Sequence, residues 1–184
     1  MASEITVLID AYRAGDPNAL NQLAPLLYPE LKAMAFNRSR SGAGMGATTL
    51  VNETFLKMLS GGDVTPNDRA QFFALAATIM RQVIVDEIRY VTAGKRAGAD
   101  VTLAETVMGD DAHERAEFLL QVDEMLGVLE QEDERLARVF ECRYFAGLTT
   151  GETAEALKMS ERTVERLWSN ARKRIAGLIE ESCE

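Results

Sequence analysis

Residues 149–178 read TTGETAEALKMSERTVERLWSNARKRIAGL, and this stretch determines how the C-terminal part of the chain folds. Thr149 and Glu152 have the Thr-x-x-Glu spacing of a capping box, which predicts a short helix over residues 152–157. Two residues then turn the chain, and Ser160 is placed to cap a second, longer helix. A short helix, a tight turn and a longer helix are typical of a helix-turn-helix.

The longer helix has two faces of different chemistry. Its apolar residues recur at helical spacing and predict a buried stripe, to which we assign Val164, Leu167, Trp168, Ala171, Ile175 and Leu178. The opposite face combines cations that bind phosphate with side chains that can read base edges: Arg162, Thr163, Arg166, Ser169, Asn170, Arg172 and Lys173. We interpret this face as a DNA-binding surface. An ordinary amphipathic hairpin with a solvated basic face is the alternative.

The charge of the chain is unevenly distributed. Its net charge is −9, which is unusual for a protein that binds DNA. Residues 100–134, however, hold twelve acidic residues against one basic residue, Arg115, and their net charge of −11 leaves +2 for the remainder. The acidity therefore belongs to a predicted linker and the helix after it, while the flanking segments are slightly basic.

Helical patterns also cover the N-terminal part of the chain. Asp16 and Pro17 predict the cap and first residue of a helix that extends to about Arg38. Apolar periodicity predicts a second helix over residues 50–59, ended by Gly61 and Gly62, and a core helix over residues 71–90.

The chain has 184 residues, of which 47% are hydrophobic, as a folded chain requires. The helical patterns predict an all-α fold, because strand-like runs are nearly absent. We predict two small helical domains, at residues 1–97 and 117–184, joined by a flexible acidic linker at residues 98–116. The second domain holds the helix-turn-helix. No apolar stretch is long enough to cross a bilayer, so we expect a cytoplasmic protein. We also expect the chain to be monomeric when it is free.

Two blocks of sequence resemble extracytoplasmic-function (ECF) sigma factors of bacteria. The C-terminal block resembles their promoter-recognition domain in the residues 143–149, Glu152, Ala154, Leu157, Ser160, Thr163, Val164, Ala171 and Arg172. The N-terminal block resembles their polymerase-binding and promoter-melting helices in the residues 50–56, 72–76, Arg81, Asp86 and Arg89.

The resemblance implies a subunit of transcription initiation that is not itself an enzyme and needs no cofactor or metal. Such a subunit joins core RNA polymerase and directs it to promoter DNA. The side chains implied to face the minus-thirty-five element are Arg162, Arg166, Ser169, Asn170, Arg172 and Lys173. Those implied to meet an unpaired minus-ten base and its backbone are Asn67, Asp68, Arg69, Arg81, Gln82 and Arg89. Those implied to bind polymerase are Leu50, Glu53, Thr54 and Lys57.

One departure from the family pattern suggests regulation. At the start of the polymerase-binding helix the family has acidic residues, whereas this chain has Gly46, Ala47, Thr48 and Thr49 and keeps only Glu53. Phosphorylation adds about −1.5 to −2 charges, which a helix N-terminus favours. We hypothesise that a serine/threonine kinase activates the protein at Thr48 or Thr49. The alternative is that one threonine simply caps the helix.

Other classes of function remain open on the sequence. A stand-alone helix-turn-helix repressor or activator explains the C-terminal half equally well, but it has no use for the N-terminal block. An enzyme is disfavoured, because the single histidine, His113, lies in the acidic segment and no nucleophile motif or phosphate-binding loop is present. The linker alone could instead bind a partner through its charge.

Glu165, Leu167 and Thr153 depart from the family pattern, so a promoter sequence is not transferable from relatives.

Overall fold

The structure is a computed structural model and describes residues 4–16, 18–39, 45–60, 66–96 and 110–182. Within these ranges the fold is all-α, as the sequence predicted. The elements in chain order are α1 (Glu4–Arg13), α2 (Ala19–Ser39), α3 (Ala47–Ser60), α4 (Arg69–Arg96), α5 (Asp110–Glu132), α6 (Glu134–Phe140), a π-helical segment (Glu141–Phe145), α7 (Thr150–Leu157) and α8 (Glu161–Ser182). We call α1 to α4 the N-terminal lobe and the elements from α5 to α8 the C-terminal lobe.

Helix α2 is preceded by the predicted cap. The carboxylate of Asp16 accepts a hydrogen bond from the backbone N–H of Asn18 at 2.8 Å, as an N-cap residue does. Pro17 lies outside the described residues. The buried stripe of α2 includes Leu20, Leu23, Leu27 and Leu31. Helix α1, which the sequence did not predict, adds Ile9 to the same core.

Helices α3 and α4 complete the N-terminal lobe. Their bounds include the predicted segments 50–59 and 71–90 and extend beyond them at both ends. The buried face of α3 consists of Leu50, Val51, Thr54 and Met58. It packs on α4, whose buried side chains include Phe72, Phe73, Met80, Ile84 and Ile88. The predicted helix end at Gly61 and Gly62 lies outside the described residues.

Helix α5 begins at Asp110, so residues 110–116 are helical, although the sequence predicted a flexible linker up to residue 116. The reason is a buried stripe at helical spacing, formed by Ala116, Leu119, Val122, Leu126 and Leu129. The remaining linker residues, 98–109, lie outside the described residues. Helix α5 ends at Glu132, and the Asp133 side chain then caps α6 by accepting the backbone N–H of Arg135 at 3.0 Å.

Helices α7 and α8 form the predicted pair. The capping box is present: the Thr149 hydroxyl accepts the backbone N–H of Glu152 at 3.2 Å, and the Glu152 carboxylate accepts that of Thr149 at 2.8 Å. Lys158 adopts a left-handed conformation with φ 55°, which reverses the chain between the helices. The predicted apolar stripe of α8 is buried at Val164, Leu167, Ala171 and Ile175.

The two lobes pack against each other along α4. This helix contacts α5, the π-helical segment and α7. A single cluster of buried apolar side chains runs through both lobes, with Phe72 and Met80 from α4 and with Leu119 and Phe145 from the C-terminal lobe. Helix α4 is therefore the central helix of the described fold.

The capping box gives a direct test of this local structure. We expect Thr149→Ala to lower the free energy of unfolding by about 1 kcal/mol, because α7 loses its side-chain cap. Thr150→Ala is the matched control, since Thr150 is the first helical residue and provides no cap. Chemical denaturation of both variants measures the difference, and equal losses would contradict the assigned cap.

Candidate nucleic-acid interface

The predicted DNA-binding face of α8 lies at the surface. Six of its side chains are exposed to solvent: Arg162, Arg166, Ser169, Asn170, Arg172 and Lys173. Thr163 is half-buried because it takes part in the start of α8, where its backbone N–H donates to the Ser160 hydroxyl at 3.3 Å. The face thus presents four cations around the polar pair Ser169 and Asn170.

Trp168 connects this face to the core. The indole is half-buried against the apolar cluster, with the Phe140 ring centroid 5.4 Å away. The guanidinium of Arg143 lies 5.7 Å from the indole centroid and that of Arg172 lies 5.5 Å from it. Trp168 therefore belongs to the core, as predicted, and also supports one cation of the exposed face.

Arg143 holds the segment that leads into α7. Its guanidinium donates to the backbone carbonyl of Leu148, immediately before the Thr149 cap. The Glu152 carboxylate of the same cap has a lowered pKa, first because it accepts hydrogen bonds from Thr149 and further because Arg69 and Arg143 are near. A charged carboxylate is thus stabilised at the N-terminus of α7, where the helix dipole also favours it.

The predicted minus-ten loop forms the N-terminal cap of α4. The Asp68 carboxylate accepts the backbone N–H of Gln71 at 2.8 Å, and Asn67 donates to the Gln71 side chain from its backbone at 2.9 Å. Arg69 pairs with Glu30, and its guanidinium lies 5.0 Å from the Phe73 ring centroid. These three predicted side chains lie together, but their polar groups are engaged within the protein.

Further along α4, the two predicted backbone-binding arginines contact the C-terminal lobe. Arg81 pairs with Asp123 of α5, and its Nε lies 2.8 Å from Oε1 of Glu141. Arg89 pairs with the same Asp123 at 3.1 Å. The side chain of Arg81 is 16% exposed and that of Arg89 is 57% exposed. Gln82, the third predicted side chain here, is exposed.

Glu141 is the most enclosed member of this cluster, with its side chain 6% exposed. Its Oε2 accepts the Thr78 hydroxyl of α4 at 2.9 Å and lies 3.7 Å from Nη1 of Arg138. The sequence analysis identified neither residue, because Asp123 is one of twelve acids in residues 100–134 and Glu141 lies beyond that segment. An acid between Phe140 and Cys142, within an apolar helical stretch, is the signal that could have revealed Glu141.

The predicted polymerase-binding side chains of α3 divide into two groups. Leu50 and Thr54 are buried in the N-terminal lobe, and the Thr54 hydroxyl donates to the Leu50 carbonyl at 2.7 Å. Glu53 is exposed, and Lys57 pairs with Asp86 of α4 at 2.5 Å. Thr48 and Thr49, the predicted phosphorylation sites, are exposed in the first turn of α3.

The same surface of α3 carries two apolar side chains that the sequence did not single out. Leu56 is 57% exposed and Leu59 is 52% exposed. They follow Glu53 along the helix, so an acidic residue and two leucines share the exposed part of α3. Such a combination is suited to a protein partner, because large exposed apolar side chains gain from being covered.

Other kinds of site find little support in the described residues. No group of three or more potential metal ligands is found there. Cys142 is buried, and burial followed by the charge of Glu141 raises the pKa of its thiol to about 12, which disfavours the reactive thiolate. None of the described helices has an apolar stretch long enough to span a membrane.

One comparison with known proteins identifies a family. The family model described as ECF sigma factor matches residues 2–180. None of the curated proteins compared with the chain matches it. Among solved structures, CnrH in complex with the cytosolic domain of CnrY is 19% identical, with 96% of this chain and 97% of that chain covered and a TM-score of 0.40. The family match thus includes both lobes.

The two arginines that share Asp123 should differ in their effect on stability. We expect Arg81→Ala to lower the free energy of unfolding by about 3 kcal/mol, because it leaves two enclosed carboxylates without their main partner. Arg89→Ala should cost less than about 1 kcal/mol, since its side chain is largely solvated. Urea denaturation of both variants checks the ranking, which equal losses would contradict.

Proposed function

Because the chain belongs to the ECF sigma factor family, we propose that it directs RNA polymerase to promoters by contacting DNA at two places. ECF sigma factors bind core RNA polymerase and promoter DNA. The observation that carries the proposal is the exposed face of α8, on which cations and polar side chains lie opposite a buried apolar stripe. In this proposal α8 reads the minus-thirty-five element in the major groove.

The second contact is proposed at the start and middle of α4. Asn67, Asp68 and Arg69 would meet an unpaired minus-ten base, and Arg81 and Arg89 the neighbouring phosphates. Arginine suits this role, since its guanidinium can form two parallel hydrogen bonds to a phosphate. Holding an extruded base requires such contacts, because unstacking costs a few kcal/mol.

Transcription provides the decisive experiment. Core polymerase with the chain should initiate from a candidate promoter from which core polymerase alone does not, and under the kinase proposal the phosphorylated chain should be more active than the unphosphorylated one. A gel-shift experiment without polymerase separates this function from that of a stand-alone repressor. Strong binding of promoter DNA by the free chain, without polymerase-dependent transcription, would favour the repressor.

The exposed surface of α3 is the proposed polymerase-docking site. Glu53, Leu56 and Leu59 would contact the polymerase, whereas the buried Leu50 and Thr54 would hold α3 in place. Thr49 borders a groove that also contains Glu53, Asp86 and Glu87. A phosphate on Thr49 would extend this acidic surface to the N-terminus of α3, where the helix dipole favours negative charge. We therefore keep Thr48 and Thr49 as the proposed targets of an activating kinase.

Charge at these threonines should control polymerase binding. We expect Thr48→Glu/Thr49→Glu to bind core polymerase roughly tenfold more tightly than Thr48→Ala/Thr49→Ala, which corresponds to one additional charge-assisted contact. Titration of fluorescently labelled chain with core polymerase measures the affinities, and the single variants identify the responsible threonine. Ser60→Glu, at the opposite end of α3, is the matched control. Equal binding by all variants would exclude the phosphorylation hypothesis.

Trp168 should influence DNA binding through Arg172. Replacing the indole with an aliphatic chain in Trp168→Leu removes the ring beneath the guanidinium, and we expect promoter affinity of the holoenzyme to fall about threefold. Trp168→Phe keeps an aromatic face and should lose less. Ile175→Val, which trims the same apolar stripe away from Arg172, is the core control. The proposal for Trp168 fails if Trp168→Leu and Ile175→Val weaken binding to the same extent.

A further inference from the structure

The C-terminal lobe contacts two side chains of α4, the enclosed Arg81 and the partly exposed Arg89, that are proposed to bind the promoter strand. Both Asp123 and Glu141 approach these side chains from the C-terminal lobe. Asp123 pairs with Arg81 and Arg89, and Glu141 pairs with Arg81. Each carboxylate therefore occupies a position that a phosphate oxygen would take at the same guanidinium groups.

We propose that Asp123 and Glu141 form an autoinhibitory latch, which occupies the arginines of α4 and excludes the promoter strand until the two lobes separate. The inference rests on the proposed function, because it concerns the regulation of the same arginines. The ligand with which the latch competes is the phosphate backbone of single-stranded DNA.

The two carboxylates are enclosed, so each of them needs a cation beside it in the closed chain. The side chain of Asp123 is 13% exposed, and that of Glu141 is more enclosed still. Removing such groups from water is costly unless cations and hydrogen-bond donors meet them. Arg81 meets both carboxylates, while the Thr78 hydroxyl and Arg138 complete the surroundings of Glu141. The closed arrangement thus depends on a position of Arg81 that strand binding would also require.

The lobes also meet at the start of α4. A groove there is bordered by Arg69 and Phe73 of α4 and by Gly147 and Glu152 of the C-terminal lobe. The lowered pKa of Glu152 is due first to Thr149 and includes a contribution from the charge of Arg69. The C-terminal lobe thus borders the minus-ten loop at this groove and contacts the two arginines directly.

A latch of this kind reduces the apparent affinity for DNA in proportion to the fraction of molecules that are open. Neutralising its carboxylates should raise that fraction while leaving every proposed DNA-contacting side chain in place. Asn and Gln keep the shape of Asp and Glu, so the double variant Asp123→Asn/Glu141→Gln removes mainly the charge. The expected result is a gain in affinity, whereas most substitutions that damage a fold reduce binding.

The experiment uses the full chain and a fluorescent single-stranded oligonucleotide of mixed sequence, because the proposed contacts are to the backbone. Fluorescence anisotropy gives the affinity, and small-angle X-ray scattering gives the radius of gyration. We expect the double variant to bind about tenfold more tightly and to be less compact than the wild type. Glu132→Gln is the matched control, because Glu132 pairs with Arg174 inside the C-terminal lobe at 2.6 Å.

Adding Arg81→Ala to the double variant should remove most of the gain, which ties the effect to the uncovered arginine. The circular dichroism spectrum shows whether the double variant is folded like the wild type. If it is, and if its affinity for the oligonucleotide equals that of the wild type, the latch is refuted, whatever its radius of gyration. Should the double variant fail to fold, Asp123→Asn alone, with an expected gain of about threefold, is judged by the same criteria. Transcription by core polymerase with the wild-type chain, unphosphorylated and phosphorylated, tests the proposed function separately, so a failure of the latch and a failure of the proposed function give different results.

Discussion

The contact of Arg81 with Asp123 and Glu141 determines how the two lobes sit together. Apolar packing along α4 is not directional, so it favours contact between the lobes without selecting one register. Enclosed charges are more selective, because a small displacement leaves a carboxylate or a guanidinium without its partner. The apolar cluster thus supplies attraction, and the shared arginine restricts the lobes to one arrangement.

Such an interface can be opened at moderate cost. Buried ion pairs add little net stability, because the cost of removing the charges from water offsets most of their attraction. Under the proposed function, a strand phosphate takes the place of each carboxylate at the arginines, while water solvates the released Asp123 and Glu141. A purely apolar interface holds no charged group whose partner a phosphate could replace. The polar composition of this contact is therefore consistent with a reversible closure.

The two proposed DNA contacts are unequal in this structure. The cations of α8 are exposed, and Trp168 supports one of them from the core. The arginines of α4, in contrast, are paired with carboxylates. Under the proposed function, the duplex-binding face is available in the closed chain and the strand-binding face becomes available only on opening. This inequality fits an order in which duplex recognition precedes strand capture.

The sequence by itself determined the features that arise within one or two helical turns. The Thr149 and Glu152 cap, the Asp16 cap of α2 and the buried stripe of α8 follow from neighbouring residues and from helical periodicity. Only the tertiary structure decided that Leu59 is exposed and that Arg81 faces Asp123. The spacing of charges along the chain does not reveal which surfaces meet. In the sequence Asp123 is one of twelve acids in residues 100–134, and only the packing of α5 on α4 encloses it beside an arginine.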